Sequence, residues 1–115
     1  MIRKNGNYKV DLKEKMFDGE GTVKLEHLWS GDEIQANNRI VARLTIQPQE
    51  SIGFHEHIDE EEIIYIISGQ GETSDNGEIA IVNSGDSTMT PAGKKHSMKC
   101  ISKEPLVILI IISQY

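Results

Sequence analysis

Alternation of side chains with a period of two residues runs through residues 22–29 and 40–47 of the chain, and Pro48 ends the second run. Residues 62–68 are β-branched and apolar, and Gly69 closes that run. A period of two is expected of a half-buried β-strand. No segment carries a convincing helical period, since even residues 10–17 would present a mostly charged face. Such strands, separated by turns, predict an all-β sandwich or barrel.

Turn signals divide the rest of the chain. Asp75-Asn76-Gly77 predicts a hairpin, because Asn-Gly tolerates the positive φ angles of a type I′ turn. Further turns are predicted at residues 84–86 and 91–93. Residues 106–112 are apolar on both faces, which predicts a strand covered by the barrel interior on one side and by something else outside. The first twenty or so residues, rich in Asn, Lys, Gly and Asp, are expected to be less ordered.

The charge balance limits the class of partner. The net charge of −6 over 115 residues, without a basic run, disfavours nucleic acid and anionic membranes. The longest apolar run covers residues 106–112, far short of the roughly 20 residues of a membrane-spanning helix. Cys100 is the only cysteine, so an internal disulfide is excluded. The N-terminus lacks the apolar stretch of a signal peptide. We therefore expect a soluble cytoplasmic protein.

Three of the four histidines lie in two compact clusters. His55 and His57 are two residues apart, so on a strand both imidazoles project from one face. An acidic run follows at residues 59–62, and one of its carboxylates could complete one face of a metal site. The second cluster places His96 just after the turn at residues 91–93. Imidazole together with carboxylate suits Fe, Mn, Ni, Co or Zn, with open positions left for water or substrate.

These clusters resemble the two motifs of the cupin superfamily. The first motif, G-x5-HxH-x3–4-E-x6-G, is matched by His55, His57, Glu62 and Gly69. The second, G-x5-PxG-x2-H-x3-N, is matched from Gly85 to His96. The resemblance covers residues 40–112. Paired motifs at family spacing are a far more specific signal than an isolated HxH.

The sequence departs from the family pattern at two positions. The glycine expected well before the first histidine is missing, since Gln49 and Glu50 stand there, and the final asparagine is Cys100. Strand phase alone does not decide between Glu61 and Glu62 as the acidic ligand. The family spacing, which reaches Gly69 after six residues, selects Glu62.

The resemblance implies a double-stranded β-helix, or jelly-roll barrel, with one divalent transition metal at its open end. It implies the ligands His55, His57, Glu62 and His96. A pocket is expected beside them, and its predicted lining comprises Ile64, Ile66, Met98 and Cys100. The barrel is predicted at residues 38–115, and residues 1–37 are predicted to form an arm with the first strand or strands, packed on the barrel or on a partner subunit. Small cupins usually pair, so we expect a homodimer.

Other polar residues carry simpler interpretations. His27 is interpreted as a strand residue that forms a local hydrogen bond, and Asp59 and Glu60 as parts of a solvated turn. No separate general base is identified from the sequence. The leading hypothesis is a metal-dependent enzyme that acts on a small polar or anionic metabolite, of dioxygenase, decarboxylase or isomerase type. The alternative is a non-catalytic module that binds or senses a small molecule.

Overall fold

The computed structural model describes all 115 residues and contains ten β-strands, with one short 3-10 turn at Met16–Asp18. No helix in it has the length and apolar character that crossing a membrane requires. The all-β fold predicted from the sequence is confirmed. The strands are β1 Lys9–Glu14, β2 Thr22–Trp29, β3 Asn38–Ile46, β4 Ser51–Glu56, β5 Glu60–Ser68, β6 Gln70–Asp75, β7 Glu78–Asn83, β8 Ser87–Thr90, β9 Lys95–Cys100 and β10 Leu106–Gln114.

The strands form two antiparallel sheets. The larger sheet has the order β1-β2-β3-β10-β5-β8, and the smaller has the order β4-β9-β6-β7. Several neighbours in each sheet are far apart in sequence, as where β10 lies between β3 and β5 and where β9 lies between β4 and β6. The chain therefore crosses repeatedly between sheets, which is the jelly-roll arrangement expected from the sequence.

The core lies between the sheets because their strands alternate buried and outward residues. On β10 the even-numbered residues from Leu106 to Ile112 are at most 4% exposed, whereas the odd-numbered ones are half-buried on the outer face. The smaller sheet contributes Ile52, Val82, Met98 and Cys100. Only one face of the β10 run is therefore fully buried within the chain.

The predicted turns occur where the sequence placed them. Asn76 and Gly77 have φ angles of 52° and 99° between β6 and β7, as the hairpin signal required. Gly85 and Gly93 also have positive φ angles.

The N-terminal residues are more ordered than their composition indicated. The expectation of a poorly ordered start was wrong for β1, which pairs along its whole length with β2. Backbone hydrogen bonds order this polar strand, because pairing does not require apolar side chains. β2 in turn pairs with β3, so the hairpin of β1 and β2 extends the larger sheet of the same chain.

Candidate metal centre

Three elements bring the four predicted ligands to one end of the barrel. His55 lies on β4 and is paired with His96 on β9, and Glu62 lies on β5 of the opposite sheet. His57 follows directly after β4, where its backbone N–H donates to the carbonyl of Lys94. His57, Glu62 and His96 are each no more than 6% exposed, and His55 is half-buried.

The donor atoms of this cluster converge tightly, all within 4.8 Å of one another. His96 Nε2 lies 3.0 Å from His55 Nε2, 2.9 Å from His57 Nε2 and 2.8 Å from Glu62 Oε1. A metal–ligand bond of about 2.1 Å places adjacent donors about 3.0 Å apart on an octahedron and about 3.4 Å apart on a tetrahedron. The three separations from His96 Nε2 therefore match adjacent positions of a six-coordinate cation better than those of a tetrahedral one.

The remaining imidazole nitrogens are all engaged, which fixes the direction of the inner ones. His57 Nδ1–H donates to Glu60 Oε1 over 3.0 Å, and His55 Nδ1–H donates to the carbonyl of Gly53 over 2.7 Å. His96 Nδ1 lies 2.9 Å from the hydroxyl of Thr90. With the proton on Nδ1, the neutral rings of His55 and His57 present Nε2 lone pairs to the centre of the cluster, and the ring of His96 does so when the hydroxyl of Thr90 accepts from its Nδ1–H. Lone pairs that face one another at these distances need positive charge between them, and protons alone do not supply enough of it. The chemistry of the donor set therefore fits a cation.

Glu60, which the sequence predicted to lie in a solvated turn, is a carboxylate that contacts the outer nitrogen of His57. Its Oε2 accepts from Arg39 Nε over 2.8 Å, and its Oε1 accepts from Arg39 Nη2 over 2.9 Å as well as from His57. Glu60 and Glu62 are two residues apart on β5, so they share the inner face. That phase is the signal that could have identified Glu60. Glu61 points the other way and accepts from the hydroxyl of Tyr115.

The cluster perturbs its own protonation. Burial acts to raise the pKa of Glu62, but its close contacts with the imidazoles of His57 and His96 outweigh burial and bring the pKa to about 2. The contact with Glu62 raises the pKa of His57, whereas burial lowers the pKa of His55. The paired guanidinium of Arg39 lowers the pKa of Glu60. The two carboxylates are therefore negatively charged at neutral pH, as cation binding requires.

A cavity of about 250 Å³ opens beside the cluster. Of the predicted pocket residues, Ile64 and Met98 line it. Ile66 and Cys100 do not line it and lie in the packed core of the barrel. Side-chain phase gives the face of a strand but not the depth of the cavity along it.

The N-terminal hairpin supplies a wall of this cavity that the sequence reading did not anticipate. Phe17 stacks on His55 with ring centroids 3.9 Å apart and planes 9° apart. Asp11, Lys13 and His27 also line the cavity. His27 belongs to the alternating set of β2 that includes the buried Leu25, and this period was the available signal that its side chain points inward.

Known proteins of the same architecture resemble this chain. The family model described as "Cupin domain" matches residues 42–112. A Thermotoga maritima protein named "Oxalate-binding protein" is 31% identical over 112 residues, which cover 97% of this chain and 93% of that protein. A crystal structure of a predicted oxalate decarboxylase from Thermotoga maritima superposes with a TM-score of 0.95 and 30% identity over the full length of both chains.

A more distant structure shows the fold alone. The cupin domain of Schizosaccharomyces pombe Cnp3 has a TM-score of 0.75 at 14% identity, with 93% of this chain and 70% of that chain covered.

Proposed function

This chain belongs to the cupin family, and we propose that it binds one divalent transition metal through His55, His57, Glu62 and His96 and holds a small carboxylate of the oxalate kind there. One observation carries this proposal. Four donor atoms converge at the end of a cavity while every outer imidazole nitrogen of the cluster has its own partner. Residues merely filling a core would not need this arrangement.

The names of the Thermotoga maritima matches, an oxalate-binding protein and a predicted oxalate decarboxylase, support oxalate as the first ligand to test. The identities are 31% and 30% over nearly whole chains. The small cavity also suits a metabolite rather than a polymer.

Different residues of the chain would hold the metal ligands in orientation and enclose the bound ligand. A bound divalent ion would supply Lewis acidity and open positions for the oxygens of a carboxylate. Glu60, Gly53 and Thr90 hold the three imidazoles in orientation through their Nδ1 atoms. Aliphatic side chains line the deeper cavity and exclude water from the bound ligand, which strengthens its electrostatic contacts; they include Leu44, Ile64, Ile108 and Ile110.

Metal content tests the first half of the proposal. Protein purified without chelator or affinity metal should carry about one Fe, Mn, Ni, Co or Zn per chain by inductively coupled plasma mass spectrometry. Glu62→Ala should lose this metal, and Glu61→Ala, which changes the adjacent acid facing outward, should retain it. Stoichiometric metal in Glu62→Ala or in His57→Ala would contradict the ligand assignment.

Ligand binding tests the second half. Calorimetric titration should show oxalate binding to the metal-loaded protein and not to the metal-free protein. No heat with the metal-loaded protein would refute the oxalate assignment.

Turnover is the second candidate function, and the predicted oxalate decarboxylase of the same fold favours it. Decarboxylation would break the carbon–carbon bond of oxalate and add a proton, giving formate and carbon dioxide. Carbon-13 nuclear magnetic resonance with labelled oxalate distinguishes the two functions. Appearance of formate identifies an enzyme, and persistence of oxalate identifies a binding protein.

A further inference from the structure

A second polar pair lies in the cavity outside the metal cluster. His27 Nε2 and Asp11 Oδ2 are 2.7 Å apart, and the two side chains come from the facing strands β2 and β1. The His27 side chain is 15% exposed and that of Asp11 is 40% exposed. Both line the same cavity as the four-residue cluster. The hydrogen bond from His27 lowers the pKa of Asp11, which is therefore ionised at neutral pH.

The partner of His27 determines which of its nitrogens carries the proton. An ionised carboxylate can only accept hydrogen bonds, so Nε2–H must be the donor to Asp11. In the neutral form of the ring, the lone pair is then on Nδ1. Nδ1 has no hydrogen-bond partner within the chain. Every fully buried side-chain nitrogen or oxygen in the structure does have a partner, so Nδ1 is not fully buried. The side chain that carries it lines the cavity.

The cavity has room for more than oxalate. A volume of about 250 Å³ equals that of roughly eight water molecules at about 30 Å³ each, whereas oxalate is only two joined carboxylates. The wall also runs continuously from the metal cluster to the pair. Phe17 stacks on His55 at one end, and Lys13 and Asp11 follow along the same hairpin.

We propose that His27, oriented by Asp11, is a ligand-contacting residue whose Nδ1 accepts a hydrogen bond from the end of the ligand away from the metal cluster. The inference rests on the proposed function. It extends the ligand class to small acids that chelate the metal through a carboxylate and carry a hydroxyl at the far end, for which 2-hydroxy acids serve as probes.

Paired ligands that differ by one hydroxyl test this proposal on the wild-type protein. The Mn²⁺-loaded protein would be titrated calorimetrically with glycerate, 2,4-dihydroxybutanoate and 2,5-dihydroxypentanoate. Each is compared with the analogue that lacks the terminal hydroxyl, namely lactate, 2-hydroxybutanoate and 2-hydroxypentanoate. At one chain length the hydroxyl-bearing acid should bind about threefold to tenfold more tightly, the range of one net neutral hydrogen bond.

His27→Gln isolates the atom involved. The glutamine amide reaches the place of Nε2 and keeps the contact with Asp11, but leaves nothing at the place of Nδ1. The preference for the hydroxyl should disappear in this variant and persist in Lys24→Gln, which alters an exposed residue of the same strand.

Three results would overturn the inference. An unchanged preference in His27→Gln would assign the hydroxyl to another partner. Equal binding of the paired acids at every length, with oxalate still bound, would refute the inference alone. A wild-type protein that takes up no Mn²⁺, or binds no oxalate when loaded, would refute the proposed function and the inference with it.

Discussion

Replacing Glu60 by glutamine should weaken metal binding although Glu60 is not among the four converging donors. The carboxylate accepts from His57 Nδ1 over 3.0 Å and from Arg39 Nε over 2.8 Å. In the variant the amide oxygen can still accept from one of these donors. The amide NH₂ faces the other donor without a lone pair, and the negative charge that increases the basicity of His57 is lost.

The size of the effect follows from this partial loss. Removing the hydrogen-bond partner of a metal-bound histidine typically costs 10- to 100-fold in affinity, about 1.4–2.7 kcal/mol. Glutamine preserves volume and one acceptor, so we expect about a tenfold loss for Glu60→Gln. Alanine preserves neither, so Glu60→Ala should approach a hundredfold loss.

The assay is calorimetric titration of Mn²⁺ into protein stripped with a chelator and dialysed free of it. Glu61→Gln provides the matched control, because Glu61 lies next to Glu60 on β5 but contacts Tyr115 on the outer face. Its Mn²⁺ affinity should equal that of the wild type. Equal affinities for Glu60→Gln and Glu61→Gln would refute the role of Glu60. Thermal melting of each variant without metal separates loss of affinity from loss of fold.

Three further predictions concern stability and assembly. A Cβ on Gly53 would collide with the carbonyl oxygen of Phe17, so Gly53→Ala should lower the free energy of unfolding by about 1–3 kcal/mol in urea titration, and an unchanged midpoint would contradict this. The hydrogen bond from Arg43 lowers the pKa of Glu26 from its usual 4.5. The stabilisation that this ion pair gives the fold is therefore present above about pH 4.5 and is lost as the pH falls through the folded-state pKa of Glu26. Glu26→Gln should therefore be about 1 kcal/mol less stable than the wild type at pH 7, and a difference that persisted at about pH 2 would disprove the assignment. We expect a homodimer through the apolar outer face of β5 and β10, where Tyr65 is 43% exposed. Tyr65→Lys should therefore sediment as a monomer in analytical ultracentrifugation. A variant that still sediments as a dimer would exclude this face as the interface.

The sequence predicted those strands whose side chains alternate between core and solvent. The run at residues 22–29 corresponds to β2 at Thr22–Trp29, because alternation there reports real burial on one face. β1 was missed because its side chains are nearly all exposed or only half-buried, and it is held by backbone pairing to β2. The same limit applied to Ile66, whose inward phase was evident but whose depth below the cavity depends on how the two sheets close.

The cavity is lined by residues both inside and outside the range that the family model matches, and the residues outside that range bear on specificity. All four residues of the cluster lie within the matched residues 42–112. Asp11, Phe17 and His27 line the cavity from outside that range. If the metal chemistry were sufficient to choose a ligand, the N-terminal hairpin could vary without consequence for binding. The structure instead places a stacked aromatic ring and an oriented imidazole on the hairpin. On the proposed function, the hairpin would therefore contribute to discrimination between similar chelating acids.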